Sequence, residues 1–174
     1  MTRKSVDFGV LVLGFNRPEL LGRTLEALIG HADHSETVSF FSLDGPRHAE
    51  DLEPVKKSKE LFANYRQSFS LTTEMYEESN LGLRNKVVDS VTRALAAVEN
   101  LIVLEDDCVI GPTTIDFFKF GFRWLEMTGT GVISGNYLGP SFPDRAFLAD
   151  RFSSWGWATN RETWAAFLSH EFSQ

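Results

Sequence analysis

Hydrophobic and polar positions divide the chain into short apolar runs separated by amphipathic segments. Residues 8–15 and 101–104 are apolar without alternation, which is typical of strands buried on both faces of a parallel sheet. Residues 38–43 and the more alternating residues 69–76 predict two further strands, and residues 131–135 predict a short one.

Apolar residues at helical spacing lie between these runs. Leu21, Leu25 and Leu28 share one face of a helix that begins after Pro18 and ends near Gly30. Similar spacing predicts helices after the polar segment 48–59, before and after the run at 101–104, and from about 160 to 168. The alternation of strands and helices predicts an α/β fold with a mostly parallel central sheet flanked by helices.

Three consecutive acidic residues, Glu105, Asp106 and Asp107, follow the apolar run 101–104. Like charges this close repel one another, and burial increases the cost. A divalent cation relieves that repulsion, and carboxylate oxygens suit Mg²⁺ or Mn²⁺. Ligands of open α/β sheets bind at the carboxyl ends of strands, so the position of these acids indicates a metal and ligand site. The alternative is a solvated acidic turn.

Two other polar residues, Arg17 and Asp44, are expected at the same edge of the sheet. Arg17 follows the first strand, and Asp44 follows the strand at 38–43 in an Asp-Gly-Pro turn, where it could simply stabilise the turn. Arg84 and Lys86 open a helix, although basic residues oppose the helix dipole there. An anion held between these side chains and backbone amides is one interpretation, and a solvated helix start is the other.

Two tryptophans flank a glycine at Trp155-Gly156-Trp157. Indole rings pack in cores, and they also stack on the apolar faces of sugar rings. The sequence leaves both interpretations open.

Composition narrows the class of protein. The 174 residues suit one domain, and a net charge of −7 argues against nucleic acid or an anionic membrane as partner. Cys108 is the only cysteine, and the apolar stretch near the N-terminus is too short for a signal peptide or a membrane span. We expect a cytoplasmic protein, and the sequence favours no particular oligomeric state.

The acidic triplet and its surroundings resemble the GT-A class of nucleotide-sugar-dependent glycosyltransferases. The closest likeness is to the N-acetylglucosaminyltransferase I type, and a looser one is to bacterial family 2 enzymes. The Val103-Leu-Glu-Asp-Asp107 segment, with Pro112 and Phe117-Phe118 after it, looks like the Glu-Asp-Asp version of the Asp-x-Asp motif. Further segments are similar in the same order, and they comprise residues 10–17, 42–45, 80–85, 133–136 and 150–157.

The resemblance implies a GT-A (Rossmann-like) fold that transfers a sugar from a nucleoside-diphosphate sugar, with UDP favoured, to a glycan or other hydroxyl acceptor, with inversion. It implies that Asp107 binds Mn²⁺ (or Mg²⁺) and that Glu105 and Asp106 contact the donor. The other implied donor-binding residues are Arg17 near the nucleotide, Asp44 at the base of UDP, and Arg84. The implied sugar and acceptor residues are Trp155, Gly156 and Trp157.

The catalytic base departs from this pattern. In the resembling enzymes it lies beyond the Trp-containing loop and the helix after it, which this chain barely passes before Gln174. The candidates within the chain are Asp150 and Glu171. We therefore expect residues 1–174 to be one donor-binding domain of a longer protein. We also expect these residues to lack the C-terminal part of the full fold.

Two alternatives to an active glycosyltransferase follow from the sequence. One is a non-catalytic GT-A-like module that binds a nucleotide or sugar within a larger protein. The other is a nucleotidyltransferase. That class requires a loop rich in glycine and basic residues after the first strand, and residues 14–17 do not provide one.

Overall fold

The computed structural model describes residues 8–31, 37–129, 131–136, 146, 148–149 and 152–171. The strands in this part of the chain are β1 (Phe8–Gly14), β2 (Val38–Leu43), β3 (Leu71–Tyr76), β4 (Asn100–Glu105), β5 (Val132–Ser134) and β6 (Trp157–Asn160). The α-helices are α1 (Pro18–Ile29), α2 (Leu52–Tyr65), α3 (Leu83–Ala97), α4 (Thr114–Thr128) and α5 (Arg161–Glu171). None of the helices in these ranges is long and apolar enough to cross a bilayer.

The strands form one sheet in the order β3-β2-β1-β4-β6-β5. The first four strands in chain order are parallel, and β6 is antiparallel to both of its neighbours. Gly14 pairs with Leu43, and Leu13 pairs with Glu105, so the carboxyl ends of β1, β2 and β4 are level. The strand order reverses between β1 and β4, which is where open α/β sheets bind ligands.

Both faces of the sheet are buried, which explains why β1 and β4 show no alternation in sequence. Val10 and Val12 of β1 pack with α1, α2 and α4 on one face. Leu11 and Leu13 pack with α3 and α5 on the other. The predicted mostly parallel, helix-flanked α/β domain is thereby confirmed.

The C-terminal part of the sheet corrects the sequence prediction. Trp157 was expected in a loop and Asn160 in a helix, but both belong to β6, and α5 begins at Arg161. This strand carries polar residues that are nevertheless buried, because Thr159 donates to the Gly131 carbonyl and Asn160 to the Gly129 carbonyl. The strand predicted from residue 69 begins two residues later, at the first residue of β3.

Candidate functional site

A cavity of about 170 Å³ opens at the carboxyl ends of β1, β2 and β4. The loops after these strands and the first turns of α3 form its walls. Its lining residues are Leu13, Gly14, Phe15, Arg17, Asp44, Arg47, Asn80, Gly82, Leu83, Lys86, Val87, Glu105 and Asp106. The sequence-predicted residues Arg17, Asp44, Glu105 and Asp106 are thus brought together at one edge of the sheet.

Arg17, at the junction of β1 and α1, binds the acids that follow β4. Its Nη2 donates to Asp106 Oδ1, and its Nη1 donates to Asp107 Oδ2 at 2.9 Å. Asp106 is 2% exposed, and its backbone carbonyl accepts a hydrogen bond from Thr24 Oγ1 at 2.9 Å. The side chain of Asp107 is 31% exposed. One acid is therefore held inside the fold, and the next faces solvent beside it.

The pKa values of these acids and of Arg17 are shifted by burial and by the charges around them. Burial raises the pKa of Glu105, and the negative charges of Asp107 and Asp106 raise it further. Burial also raises the pKa of Asp106, although the hydrogen bond from Arg17 opposes this effect. Burial alone would lower the pKa of Arg17, but its hydrogen bonds and ion pairs with the two aspartates outweigh burial and raise it. Excess negative charge remains at this edge, which favours a cation.

The described residues suit a divalent cation that is bound by a single carboxylate rather than one enclosed by several protein ligands. The described residues contain no group of three or more acidic, histidine or cysteine side chains placed to enclose a metal. Among the residues that the structure describes, Arg17 donates to Asp107 Oδ2, and Oδ1 is contacted by the Cys108 thiol alone, at 3.9 Å. A single carboxylate that leaves other positions to water and phosphate oxygens is the arrangement typical of Mg²⁺. Asp107 can therefore hold such a cation together with a bound diphosphate.

Asp44 is buried, and its carboxylate accepts four hydrogen bonds from the chain itself. Its Oδ1 accepts from the amides of Gly45 (2.9 Å) and Leu81 (2.8 Å). Its Oδ2 accepts from Asn80 Nδ2 (2.9 Å) and the Gly82 amide (3.1 Å). A carboxylate has about four acceptor positions, and all are occupied here. Asp44 thus fixes the loop before α3 in this structure, and its expected contact with a uracil base stays a prediction.

Asp51, which the sequence analysis did not single out, ties two walls of the cavity together. Its Oδ1 accepts from Asn16 Nδ2 at 2.6 Å, and its Oδ2 accepts from the amides of Arg47 (3.1 Å) and His48 (3.3 Å). Burial opposes its ionisation, but the hydrogen bonds from Asn16 and Arg47 prevail and lower the pKa of Asp51. The signal was an acid three residues after a helix-start position, which is the capping-box spacing.

Arg84 and Lys86 do not form the anion cradle that was one interpretation of their positions. Lys86 is 4% exposed, and its Nζ donates to the Met75 carbonyl at 2.9 Å and to Glu77 Oε1 at 3.1 Å. Its ammonium group thus ties α3 to the end of β3. Arg84 lies exposed on the first turn of α3, outside the lining of the cavity.

The structure separates the two tryptophans. Trp157 is 6% exposed and packs edge-on against Phe152, with ring centroids 5.5 Å apart, so the core interpretation applies to it. Trp155 is 54% exposed. Between them, Gly156 has a φ of 65°, and its backbone hydrogen-bonds Cys108, next to the acids. The Trp155 loop therefore borders the acidic edge.

The two candidates for the catalytic base are not placed by the structure. Asp150 lies outside the described residues. Glu171 is the last residue of α5, and its side chain also lies outside them.

Comparison with known proteins shows a fold and no family. No protein-family profile matches the chain, and no curated protein matches it in sequence. A mannosyltransferase from Pyrobaculum calidifontis, PcManGT, solved in complex with GDP-Man and Mn²⁺, superposes with a TM-score of 0.61 at 12% identity over 95% of this chain. S. aureus TarS superposes with a TM-score of 0.58 at 15% identity over 80% of this chain.

A third solved structure is a cytidylyltransferase from Leptospira borgpetersenii serovar Hardjo-bovis, with a TM-score of 0.54 at 12% identity over 94% of this chain. The chain spans 46% of the mannosyltransferase, 24% of TarS and 64% of the cytidylyltransferase. The fold is therefore of the GT-A type, shared by glycosyl- and nucleotidyltransferases.

Proposed function

We propose that this GT-A-type domain binds the donor of a metal-dependent glycosyltransferase, which transfers a sugar from a nucleoside-diphosphate sugar to a hydroxyl acceptor with inversion. One observation carries the proposal. Arg17 meets Asp106 and Asp107 between β1 and β4, at the mouth of a cavity on the ligand-binding edge of the sheet. That arrangement offers a cation site, a guanidinium and a cleft for the nucleotide together.

Each residue at the acidic edge has a part in donor binding. Asp107 would bind the cation, Mn²⁺ or Mg²⁺, through its exposed carboxylate, and Glu105 and Asp106 would contact the ribose or the sugar of the donor. Arg17 donates to the diphosphate, since a planar guanidinium suits paired oxygens. Arg84 adds positive charge at the start of α3. A bound cation would supply Lewis-acid stabilisation of the charge that develops on the diphosphate leaving group.

The acceptor side is formed by the loop that enters β6. Trp155 presents an exposed indole on which a sugar ring can stack, while Gly156 and the buried Trp157 hold that loop in place. An inverting transfer also requires a carboxylate that accepts the proton of the attacking hydroxyl. Asp150 and Glu171 are the candidates for this base within the chain, and a residue of a longer protein is the third. A glycan is the acceptor that an exposed indole suits best.

Calorimetric titration of UDP, GDP and dTDP, with Mn²⁺ and with EDTA, tests this function. UDP is included because the sequence likeness favours it as the carrier. We expect one nucleotide to bind in Mn²⁺, and both EDTA and Asp107→Ala to weaken it by about tenfold or more. Asp116→Ala, which removes an exposed acid from α4, is the matched control. Failure of the folded protein to bind any nucleotide would contradict the proposal.

Turnover is tested separately from binding. A glycosyltransferase domain releases nucleoside diphosphate from its nucleotide-sugar when an acceptor or water attacks the sugar. A nucleotide-binding module shows the same calorimetry but no release, and a nucleotidyltransferase instead forms pyrophosphate from a nucleoside triphosphate and a phosphorylated partner. Assays for free nucleoside diphosphate and for pyrophosphate therefore distinguish the three.

A further inference from the structure

Thr24 is a polar residue on the buried face of α1. It is 0% exposed, and it shares that face with Leu21 and Leu28, which pack in the core. A threonine hydroxyl inside a helix commonly donates to a carbonyl of the preceding turn. Thr24 Oγ1 instead donates out of the helix, to the backbone carbonyl of Asp106 at 2.9 Å. Thr24 does not line the cavity, so it acts on the loop after β4 and not on a ligand.

The carbonyl that Thr24 binds belongs to the central peptide of a tight turn. This turn runs from Glu105 to Cys108, and the Cys108 amide closes it by donating to the Glu105 carbonyl at 3.0 Å. The common turn types I and II differ chiefly in the orientation of the central peptide, here the one between Asp106 and Asp107. A change in that orientation alters φ of Asp107 and the atoms that face its carboxylate. The bond from Thr24 therefore fixes the one part of the turn that its closing bond leaves free.

The segment from β1 to α1 holds Asp106 at three points. The carboxylate of Asp106 accepts from Arg17 Nη2 and from the backbone amide of Phe15, and its carbonyl accepts from Thr24. Asp107 is held through its side chain by Arg17 Nη1. Under the proposed function, Arg17 donates to the diphosphate, so its contact with Asp107 is given up when the donor binds. The bond from Thr24 lies on the buried side of the turn and remains.

We propose, on the basis of the proposed function, that Thr24 is a positioning residue of the cation site. Its hydroxyl fixes the backbone between Asp106 and Asp107, so that the partly exposed carboxylate of Asp107 keeps its direction while Arg17 turns to the diphosphate. Groups that orient a metal ligand without touching the metal change metal affinity by about 10–100-fold. The effect is large here because a single carboxylate binds the cation, and no second protein ligand compensates for its displacement.

Calorimetric titration of UDP, GDP and dTDP in Mn²⁺ into Thr24→Val tests this role. Valine keeps the shape of the side chain and removes the hydroxyl, so we expect nucleotide binding to weaken by about tenfold or more. Thr24→Ser keeps the hydroxyl and should retain the affinity of the parent. Thr159→Val is the matched control, because Thr159 is also buried and its hydroxyl donates to the Gly131 carbonyl, beside the start of β4. It should leave the affinity unchanged.

Thermal melts confirm that each variant is folded, and a second variant serves if valine is not tolerated. Thr24→Cys keeps a similar volume with a weaker donor, so its affinity should fall between those of the parent and the valine variant.

Different outcomes overturn different claims. If the parent, Thr24→Val and Thr24→Cys bind a nucleotide equally in Mn²⁺, the positioning role is wrong and nucleotide-sugar binding stands. If Thr159→Val weakens binding as much as Thr24→Val, the loss reflects general destabilisation, and the positioning role is again wrong. If the folded parent binds none of the nucleotides, the proposed function fails, and the positioning role fails with it.

Discussion

Arg17 Nη1 lies 2.9 Å from Asp107 Oδ2, although the two residues are 90 positions apart in the chain. The contact joins the loop after β1 to the loop after β4, across the point where the strand order reverses. The same guanidinium also neutralises the buried Asp106. Arg17 thus supplies positive charge where the proposed cation would supply more.

Arg17→Met should destabilise the protein and increase its response to cations. The free energy of unfolding should fall by about 1–3 kcal/mol, because Asp106 would be left buried without a counter-charge. Added Mn²⁺ should then raise the Tm of the variant more than that of the parent, since Asp107 is released from its ion pair. Arg23→Met, at an exposed position of α1, is the control. Equal Mn²⁺ responses in both proteins would show that Arg17 and the cation do not compete.

Glu105→Gln should stabilise the protein at pH 7 while weakening nucleotide binding. The folded state holds a proton on Glu105 more readily than the unfolded state, because its folded pKa is raised. Ionised Glu105 therefore costs stability progressively as pH rises from its ordinary pKa toward the folded one. If the relief is about 1 kcal/mol, the Tm at pH 7 rises by about 2–4 °C.

The pH dependence checks the cause of that effect. At about pH 4, near the ordinary pKa of a glutamate, the advantage of Glu105→Gln should disappear. Glu126→Gln, on the exposed side of α4, should change the Tm little at either pH. An advantage that persists at low pH would indicate a packing effect rather than relief of repulsion.

Asp44→Asn should lower stability in the absence of any nucleotide. An amide keeps one acceptor oxygen and turns its nitrogen toward hydrogen-bond donors, so two of the four loop contacts are lost. We expect a decrease of about 2–4 kcal/mol in the free energy of unfolding, measured with urea. Asp89→Asn removes only an exposed ion pair with Arg93 and should cost less than about 1 kcal/mol. A normal stability with impaired UDP binding would instead support the base contact implied by the sequence likeness.

Gly45→Ala should separate β2 from the loop before α3. A Cβ at Gly45 would lie 2.4–2.7 Å from the backbone of Ser79, which cannot yield as a side-chain tip can. We expect a loss of about 1–3 kcal/mol and weaker nucleotide binding. Gly22→Ala in α1, where a Cβ meets nothing within 4 Å, should be neutral or stabilising. Similar melting curves for Gly45→Ala and the parent would disprove this close approach.

The strands and the acidic edge were predictable from sequence because their cause is local. The apolar runs that form β1 and β4 have no alternation, and parallel strands bring their carboxyl ends to one edge wherever each strand lies in the chain. That rule alone placed Arg17 and Glu105 together. The strand β6 was not predicted, because the hydrogen-bond partners of its buried polar residues are carbonyls of the loop before β5, which is distant in sequence.

The roles of individual side chains were less predictable than their positions. Asp44 was expected at the same sheet edge as Arg17 and Glu105, and it lines the cavity there, as does Lys86, but the polar atoms of both bind the chain itself. Which partner a buried polar group takes depends on backbone amides and carbonyls that no sequence pattern displays. The hydrogen bond between Asn16 and Asp51 and the stacking of Arg47 on Phe15 also depend on how two loops pack together, which the sequence pattern does not show.

Because β6 runs opposite to β4, the acidic edge is bordered by the start of β6 as well as by the ends of β1, β2 and β4. Trp157 pairs with Val103, so the chain enters β6 beside the acids, and it leaves toward the opposite edge, where the Arg161 amide donates to the Glu99 carbonyl. Changes in residues 152–156 can therefore remodel what borders the acidic edge without altering the pairing of β1, β2 and β4. Under the proposed function, relatives of this chain would differ in acceptor while keeping one nucleotide site.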